Sequence, residues 1–360
     1  MSCTAVTAEE ALTTRLLESA VQTLELFGVY LGKELGLYEA LQSGGALTPV
    51  ELAGKTGIAP RYAREWLEQQ AVAGFLVVEQ PAAAPDERRY RLPTEHVNVL
   101  VTEDHPAHLA PLAQMVAGIG GALGHVLAAY RSGEGVPYPL FGEAFRKGQA
   151  GINRPAFTTD LVERWLPAVP DIHERLRSSR LRVADVGCGA GWSTIALARA
   201  FPLAEVIGFD ADEASILDAR RNASAGRVSA RFKVRDAAGL ANEEPFDLVL
   251  ILEALHDMSH PAEALRSLRR ALKPNGAVIV ADEKVADRFH APGDEIERLM
   301  YGWSIVHCLP VAMSDTPADA VGTVIRSDIV RALARDAGFE RVDVLPVNAG
   351  FFRVYRLSPQ

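Results

Sequence analysis

From Leu181 onward, short apolar runs alternate with helical periods, and a three-glycine loop follows the first run. That pattern restricts the chain more than any other feature. Strands are expected at Arg182–Val186, Glu205–Asp210, Ala230–Val234, Asp247–Leu252 and Ala277–Asp282, with helices at Trp192–Ala200, Glu213–Ala223 and Ala262–Leu272. Alternation of this kind builds a parallel sheet covered by helices on both faces. A last helix, Ser327–Ala337, and two strands, Arg341–Val347 and Phe351–Leu357, imply a closing antiparallel hairpin and seven strands in all. The fold class is α/β.

The chain of 360 residues is long enough for more than one domain. Leu12, Leu16, Ala20, Leu24 and Phe27 recur at helical spacing, which predicts a packed opening helix over Glu9–Phe27. Thr48, Pro49 and Glu51 read as a capping box with proline at the first helical position, so a short helix runs to about Thr56. Gly57 breaks it, and Pro60–Gln70 resumes with Tyr62, Trp66 and Leu67 as core candidates. Short strands at Phe75–Glu79 and Arg89–Leu92 would complete a winged helix. The expected division is 1–100 as the winged helix, 101–180 as a mostly helical connector, and 181–360 as the α/β domain. The connector breaks at Gly133–Gly142 and carries a helix over Thr159–Val169. Residues 285–326 interrupt the alternation and, with Tyr301, Trp303 and His307, read as a lid or pocket wall.

The loop Val186-Gly187-Cys188-Gly189-Ala190-Gly191 follows a buried strand and opens a helix, so backbone can approach a ligand closely. A dinucleotide fingerprint places its third glycine one position later, where this chain has Trp192. Asp185 beside the loop suits a cationic amino-acid group. Asp210, at the end of the second strand, suits a pair of ribose hydroxyls. Asp236, after the third strand, can receive an adenine amino group. Three carboxylates at three strand ends describe an adenosine that carries a positively charged amino acid.

These motifs resemble those of class I S-adenosylmethionine-dependent methyltransferases: VADVGCGAGWST their first motif, EVIGFDAD their second, PFDLVLILEALHDM their fourth strand and catalytic loop. The resemblance covers about Leu181 to Gln360 and implies a Rossmann-like sheet with S-adenosylmethionine as cofactor. It assigns Asp185, Gly187, Gly189 and Gly191 to the methionyl part, Asp210 to the ribose, and Asp236 with Ala237 to the adenine. Leu252 and Glu253 would lie beneath the sulfonium. With its winged helix, the whole chain resembles bacterial small-molecule O-methyltransferase-like enzymes, in which the first domain serves dimerisation and helps close the pocket; a homodimer is therefore expected. Those enzymes commonly carry His-Asp-Trp where this chain has His256-Asp257-Met258.

Methyl transfer from a sulfonium is an in-line displacement, so alignment and exclusion of water do much of the work. A hydroxyl acceptor must also lose a proton, and a histidine with a reference pKa of about 6.5 suits that task, which makes His256 the candidate base. The structural alternative is a loop histidine that bonds the chain before the next helix. Glu283, Tyr301, Trp303 and His307 are candidate pocket residues. No metal is expected, because adjacent His307 and Cys308 rarely share one ion and no matching pair stands elsewhere.

The formal net charge of -9 argues against nonspecific affinity for nucleic acid or anionic lipid, and a small-molecule acceptor is expected. The alternative function is a winged-helix DNA-binding regulator that senses S-adenosylmethionine. Its recognition helix, Pro60–Gln70, offsets Arg61 and Arg64 with Glu65 and Glu68. Met1 to Thr14 lacks the basic start of a signal peptide, and no run approaches membrane-spanning length. Three scattered cysteines, Cys3, Cys188 and Cys308, fit neither a disulfide framework nor a CxxC metal pair, and a reducing cytoplasm is expected.

Overall fold

The computed structural model describes residues 7–359. Two compact units emerge, one running to Gly118 and including Lys147–Ile152, the other comprising Ile119–Arg146 and Asn153 onward.

In the first unit, helices Ala8–Glu34, Leu37–Gly44, Pro49–Thr56 and Pro60–Val72 precede strands β1 (Val77–Val78) and β2 (Tyr90–Arg91), then helix Thr94–Leu100. The capping box forms: Thr48 N–H donates to Glu51 Oε2 at 2.8 Å, and Glu51 N–H donates to Thr48 Oγ1 at 3.3 Å. Gly57 ends that helix at φ 74°, a conformation that costs other residues more. The wing strands are shorter than expected. Trp66 and Leu67 are buried with Tyr38, Leu41 and Tyr90, but Tyr62 is 76% exposed and does not belong to this core.

The opening helix also departs from expectation. Packing holds only its C-terminal end, where Val29 and Gly32 are buried and Trp66 Nε1–H donates to Gly28 O at 2.9 Å. Leu12, Leu16 and Leu24 are 56%, 63% and 66% exposed, so the helical period marked a continuous stripe that this chain leaves uncovered.

Helix Pro111–Ser132 corrects a second expectation: by length and composition it is apolar enough to cross a membrane. Buried core helices satisfy the same measure, and Ala113, Ala122, Val126 and Ala129 on it are buried.

The second unit contains β3 (Arg182–Val186), β4 (Glu205–Asp210), β5 (Arg231–Val234), β6 (Phe246–Leu252), β7 (Leu272–Glu283), β8 (Arg341–Val344) and β9 (Phe352–Ser358). Their spatial order is β5-β4-β3-β6-β7-β9-β8; β3 to β7 run parallel, and β9 pairs antiparallel with both β7 and β8. The expected α/β fold with its closing hairpin is what forms. Apolar clusters cover both faces of the sheet, with Ile207, Val249 and Val280 in one and Val183, Leu250 and Ile279 in the other. Because the chain leaves β3 for β4 on one side and β6 lies on the other, the order reverses at β3, and ligands of such sheets bind outside the carboxyl ends there.

Two stretches flank that edge. One holds helix Gly142–Pro155, a π-helical run Ala156–Trp165 and a short turn Leu166–Ala168, which together replace the single helix expected over Thr159–Val169. The other, 285–326, contains helix Glu295–Trp303, a π-helical turn Ser304–Cys308 and helix Leu309–Ala312.

Candidate active site

The three loop glycines have positive φ, 71° at Gly187, 51° at Gly189 and 81° at Gly191, and they divide the work. A Cβ on Gly187 would stand 2.6 Å from Ala254 Cβ, and one on Gly191 would stand 2.7 Å from the Phe232 ring. Packing therefore requires glycine at both. A Cβ on Gly189 meets nothing within 4 Å, so this residue turns bare backbone to open space. Cys188 is buried, and its Sγ would be 2.8 Å from a Cβ on Gly208, so it fills space between the loop and β4.

The acidic residues around the loop differ in posture. Asp185 is 1% exposed and accepts hydrogen bonds from Ser193 Oγ at 2.6 Å and Thr194 Oγ1 at 2.5 Å. It ties the loop to helix Trp192–Ala200, and burial raises its pKa. Asp210 sits half-buried at the end of β4, where Oδ2 accepts from Gly189 N–H at 2.8 Å and Oδ1 from Asp212 N–H at 2.9 Å. Burial pushes its carboxyl up to about 6. Asp236 is exposed and caps a single turn through Gly239 N–H at 2.9 Å, beside the buried Ala237.

A second acidic group lies past the ends of β6 and β7. Leu252 is buried; Glu253 follows at φ 52°, its N–H bonded to Ala281 O at 2.7 Å and its carboxylate accepting from the Asn153 amide. His256 is 2% exposed, with Nδ1 2.5 Å from Asp282 Oδ1 and Nε2 3.3 Å from Asp257 Oδ1. Burial opposes the charged ring, but Asp282 and Asp257 outweigh it and hold the pKa well above the usual value. Glu283 is 4% exposed, and burial together with the neighbouring Glu253 charge raises its pKa strongly. Asp282 Oδ2 and Glu283 Oε2 have no hydrogen-bond partner.

Of the pocket candidates, Glu283 and His307 come to this group, whereas Tyr301 does not. His307 is 1% exposed, stacked on Phe145 at 3.8 Å between centroids and edged by Phe141 at 4.4 Å. Burial depresses its pKa to about 3, so it is neutral, and Nε2 has no partner. Tyr301 instead packs edge-on to Phe289, with Arg326 donating to its hydroxyl at 3.4 Å; Trp303 is half-buried. Segment 285–326 is tied to the stretch before helix Gly142–Pro155 by Val136 N–H to Pro310 O at 2.8 Å and Tyr130 OH to Ile305 O at 2.9 Å.

Asn153, Phe141 and Phe145 carry no local motif that marks them as site residues. Asp282 had a signal, being the neighbour of Glu283 at a strand end. Cys308 meets both His307, whose Nδ1 is 3.4 Å from its Sγ, and a wider group: the donor atoms of His256, Asp257 and Cys308 lie within 4.8 Å of one another, as do those of His256, Asp282 and Glu283. In the second set the 2.5 Å between Nδ1 and Oδ1 is a short hydrogen-bond distance, closer than the about 3.3 Å that separates the tetrahedral ligands of one ion.

A profile described as a methyltransferase domain matches residues 177–335, and one described as an Rv2258c-like winged HTH domain matches 24–102. The ubiquinone biosynthesis O-methyltransferase of Pseudomonas syringae pv. tomato is 31% identical over 179 residues, 48% of this chain and 71% of that one. The trans-aconitate 2-methyltransferase of Methylobacterium nodulans is 31% identical over 140 residues, 39% of this chain and 52% of that one, so the match spans about half of that relative. Among solved structures, human N-acetylserotonin methyltransferase in complex with S-adenosylmethionine shares the fold over 99% of both chains, with TM-score 0.68 and 17% identity. Mitomycin 7-O-methyltransferase does so over 98% of both, with TM-score 0.69 and 19% identity. The open backbone at Gly189 and the carboxylate of Asp210 beside it fit the methyl donor of these proteins, and the chain belongs to the class I S-adenosylmethionine-dependent methyltransferases.

Proposed function

We propose that this enzyme transfers the methyl group to a small acceptor, on oxygen or nitrogen, enclosed above β6 and β7. The observation that carries this reading is a set of buried polar atoms without partners, Asp282 Oδ2, Glu283 Oε2 and His307 Nε2, the last on a ring stacked on Phe145 and edged by Phe141. Buried polar atoms are costly unless something bonds them, and a planar acceptor with polar substituents would do so. In this reading Gly187, Gly189, Gly191 and Asp185 shape the methionyl site, Asp210 holds the ribose, Asp236 and Ala237 border the adenine, and Leu252 and Glu253 lie beneath the sulfonium. His256, oriented through Nδ1 by Asp282, is the base that takes the proton of a hydroxyl acceptor. Residues 285–326 act as a lid, and 101–180 contribute aromatic wall.

The first unit serves as the dimerisation domain of a cytoplasmic homodimer. Supporting this is the exposed stripe of Leu12, Leu16, Leu17, Val21, Leu24 and Leu31 on helix Ala8–Glu34. A DNA-binding role is disfavoured by the arginines of this unit: Arg61 pairs with Glu65, Arg64 with Asp86 at 3.2 Å, Arg88 with Glu68 at 2.8 Å and Arg89 with Glu51 at 3.0 Å. Few cations are left for phosphates.

A metabolite pool incubated with methyl-labelled S-adenosylmethionine tests the reading. Label is expected in one small product, and label that appears only in protein or nucleic acid would overturn it.

A further inference from the structure

We propose that the acceptor carries an ammonium group beside the hydroxyl that is methylated, and that Glu283 is the carboxylate that anchors this cation. The proposal rests on the acceptor site described above and names the class of molecule that fills it, a hydroxyl compound bearing a protonated aliphatic amine.

Alternation along a strand sends neighbouring side chains to opposite faces, yet the donor atoms of Asp282, Glu283 and His256 lie within 4.8 Å of one another. The two adjacent carboxylates meet at the carboxyl end of β7, where the strand runs out at Glu283. Their bonding differs. Asp282 Oδ1 stands 2.5 Å from His256 Nδ1 and accepts from Glu283 N–H at 3.0 Å, so Asp282 serves the histidine. The Glu283 side chain is 4% exposed, and its Oε2 is buried with nothing to bond.

The charges around Glu283 are mostly of one sign. Glu253, Asp257 and Asp282 are the neighbouring acids, and His256 is the basic group among them. Among the described residues the ion pairs of these four carboxyls are His256 with Asp257, at 3.3 Å, and His256 with Asp282, at 2.5 Å; Glu283 has none. Burial and the neighbouring acids oppose its charge. A ligand cation reverses that balance, because it brings hydrogen-bond donors and opposite charge together, and such bonds are roughly twice as strong as neutral ones. An ammonium is thereby favoured over a neutral donor of the same shape.

Two cations enter this enzyme, the sulfonium of the donor and the ammonium of the acceptor. Sheet order separates them. The glycine loop follows β3, and β6 lies between β3 and β7, so with neighbouring strands about 4.8 Å apart the end of β7 is about 10 Å from the donor strand. The acid beside the loop is Glu253, whose next residue, Ala254, is the one a Cβ on Gly187 would strike. Glu283 is left to the acceptor. A protonated amine has no lone pair with which to attack the methyl group, so it anchors the molecule while the hydroxyl reacts and gives its proton to His256.

The test starts from a small-molecule extract passed over a cation-exchange resin at pH 7, each fraction then being incubated with the full chain and methyl-labelled S-adenosylmethionine. Label is expected in a small product from the retained, cationic fraction. Glu283→Gln should raise KM for that acceptor by about 30-fold or more, the loss appearing in KM rather than kcat. Acceptor activity found chiefly in the unretained fraction overturns the proposal and leaves the small-molecule reading standing; this arm uses the parent chain and decides even if the variant does not fold. A cationic acceptor whose KM is unmoved by Glu283→Gln overturns the anchor. If the variant instead weakens S-adenosylmethionine relative to S-adenosylhomocysteine, the cation that Glu283 faces is the sulfonium, and the proposal falls. Label in no small molecule from either fraction overturns the small-molecule reading itself, and the proposal with it.

Discussion

Gly189 donates its backbone N–H to Asp210 Oδ2 at 2.8 Å, so the half-buried backbone of the loop and the carboxylate at the end of β4 are fixed to each other before any ligand enters. Preorganisation of this kind removes an ordering cost from binding. Asp210→Ala loses the strut and, in the proposed donor site, the ribose acceptor, and should weaken S-adenosylhomocysteine by about 2–3 kcal/mol, roughly 30- to 150-fold. Calorimetry and loss of the ligand's thermal shift would show it; an unchanged shift would mean that the ribose lies elsewhere.

The glycines allow a sharper division of fold from binding. Gly187→Ala drives a methyl group against Ala254, and should lower the melting temperature of the ligand-free protein. Gly189→Ala strains the backbone by about 1 kcal/mol but meets nothing, so ligand affinity should suffer more than stability. Differential scanning fluorimetry with and without S-adenosylhomocysteine separates the two. The division fails if Gly189→Ala is the less stable variant.

These assignments were partly legible in the chain. The spans of β3 and β4 and the glycine loop follow from local periodicity and turn chemistry, which a strand and its next helix carry within themselves. The partner of His256 does not, because Asp282 reaches it only through the pairing of β6 with β7. Asp282 and Glu283 are adjacent acids, and sequence alone favoured the second as a site residue. The stripe on the opening helix was legible as a stripe, but periodicity names an apolar face without naming what covers it. Asn153 is a single amide in a helix and gave no signal at all.

Protonation sets an unusual pH dependence. The folded chain raises the pKa of Asp210 to about 6 and of Glu253 to about 7, and raises that of His256, so each binds its proton more tightly folded than unfolded. The carboxyl contributions decline from about pH 4 as pH rises through those folded values, and that of His256 is complete below about pH 6.5 and lost above its raised value. Glu243, held low by Lys233, acts oppositely and loses its contribution only as pH falls below about 4.5. The ligand-free protein should therefore melt about 5 °C higher at pH 5 than at pH 8. Glu253→Gln should flatten that slope, and a melting temperature that climbs from pH 5 to 8 would contradict it.

Chelation provides an independent check on the acidic group. If His256 shares its proton with Asp282, treatment with EDTA should leave the melting temperature and S-adenosylhomocysteine affinity unchanged, within experimental scatter. Cobalt(II) added in excess should give no thiolate charge-transfer band, since burial pushes the Cys308 thiol up to about 12. Appearance of that band would instead assign His256, Asp257 and Cys308 to a metal.

The remaining prediction concerns the uncovered stripe. Leu16, Leu17 and Leu24 are 63%, 67% and 66% exposed, and burying each at an interface is worth about 1.5–3 kcal/mol. Charges there cost the isolated chain little, because only the C-terminal end of the helix joins the core through Val29 and Gly32. Leu16→Glu combined with Leu24→Glu should therefore convert a dimer to a monomer in sedimentation while leaving helical content unchanged. Two glutamates on each of two chains would oppose association by removing apolar area and by burying charge without partners. A double variant that sediments like the parent would show that the stripe is not the seat of association.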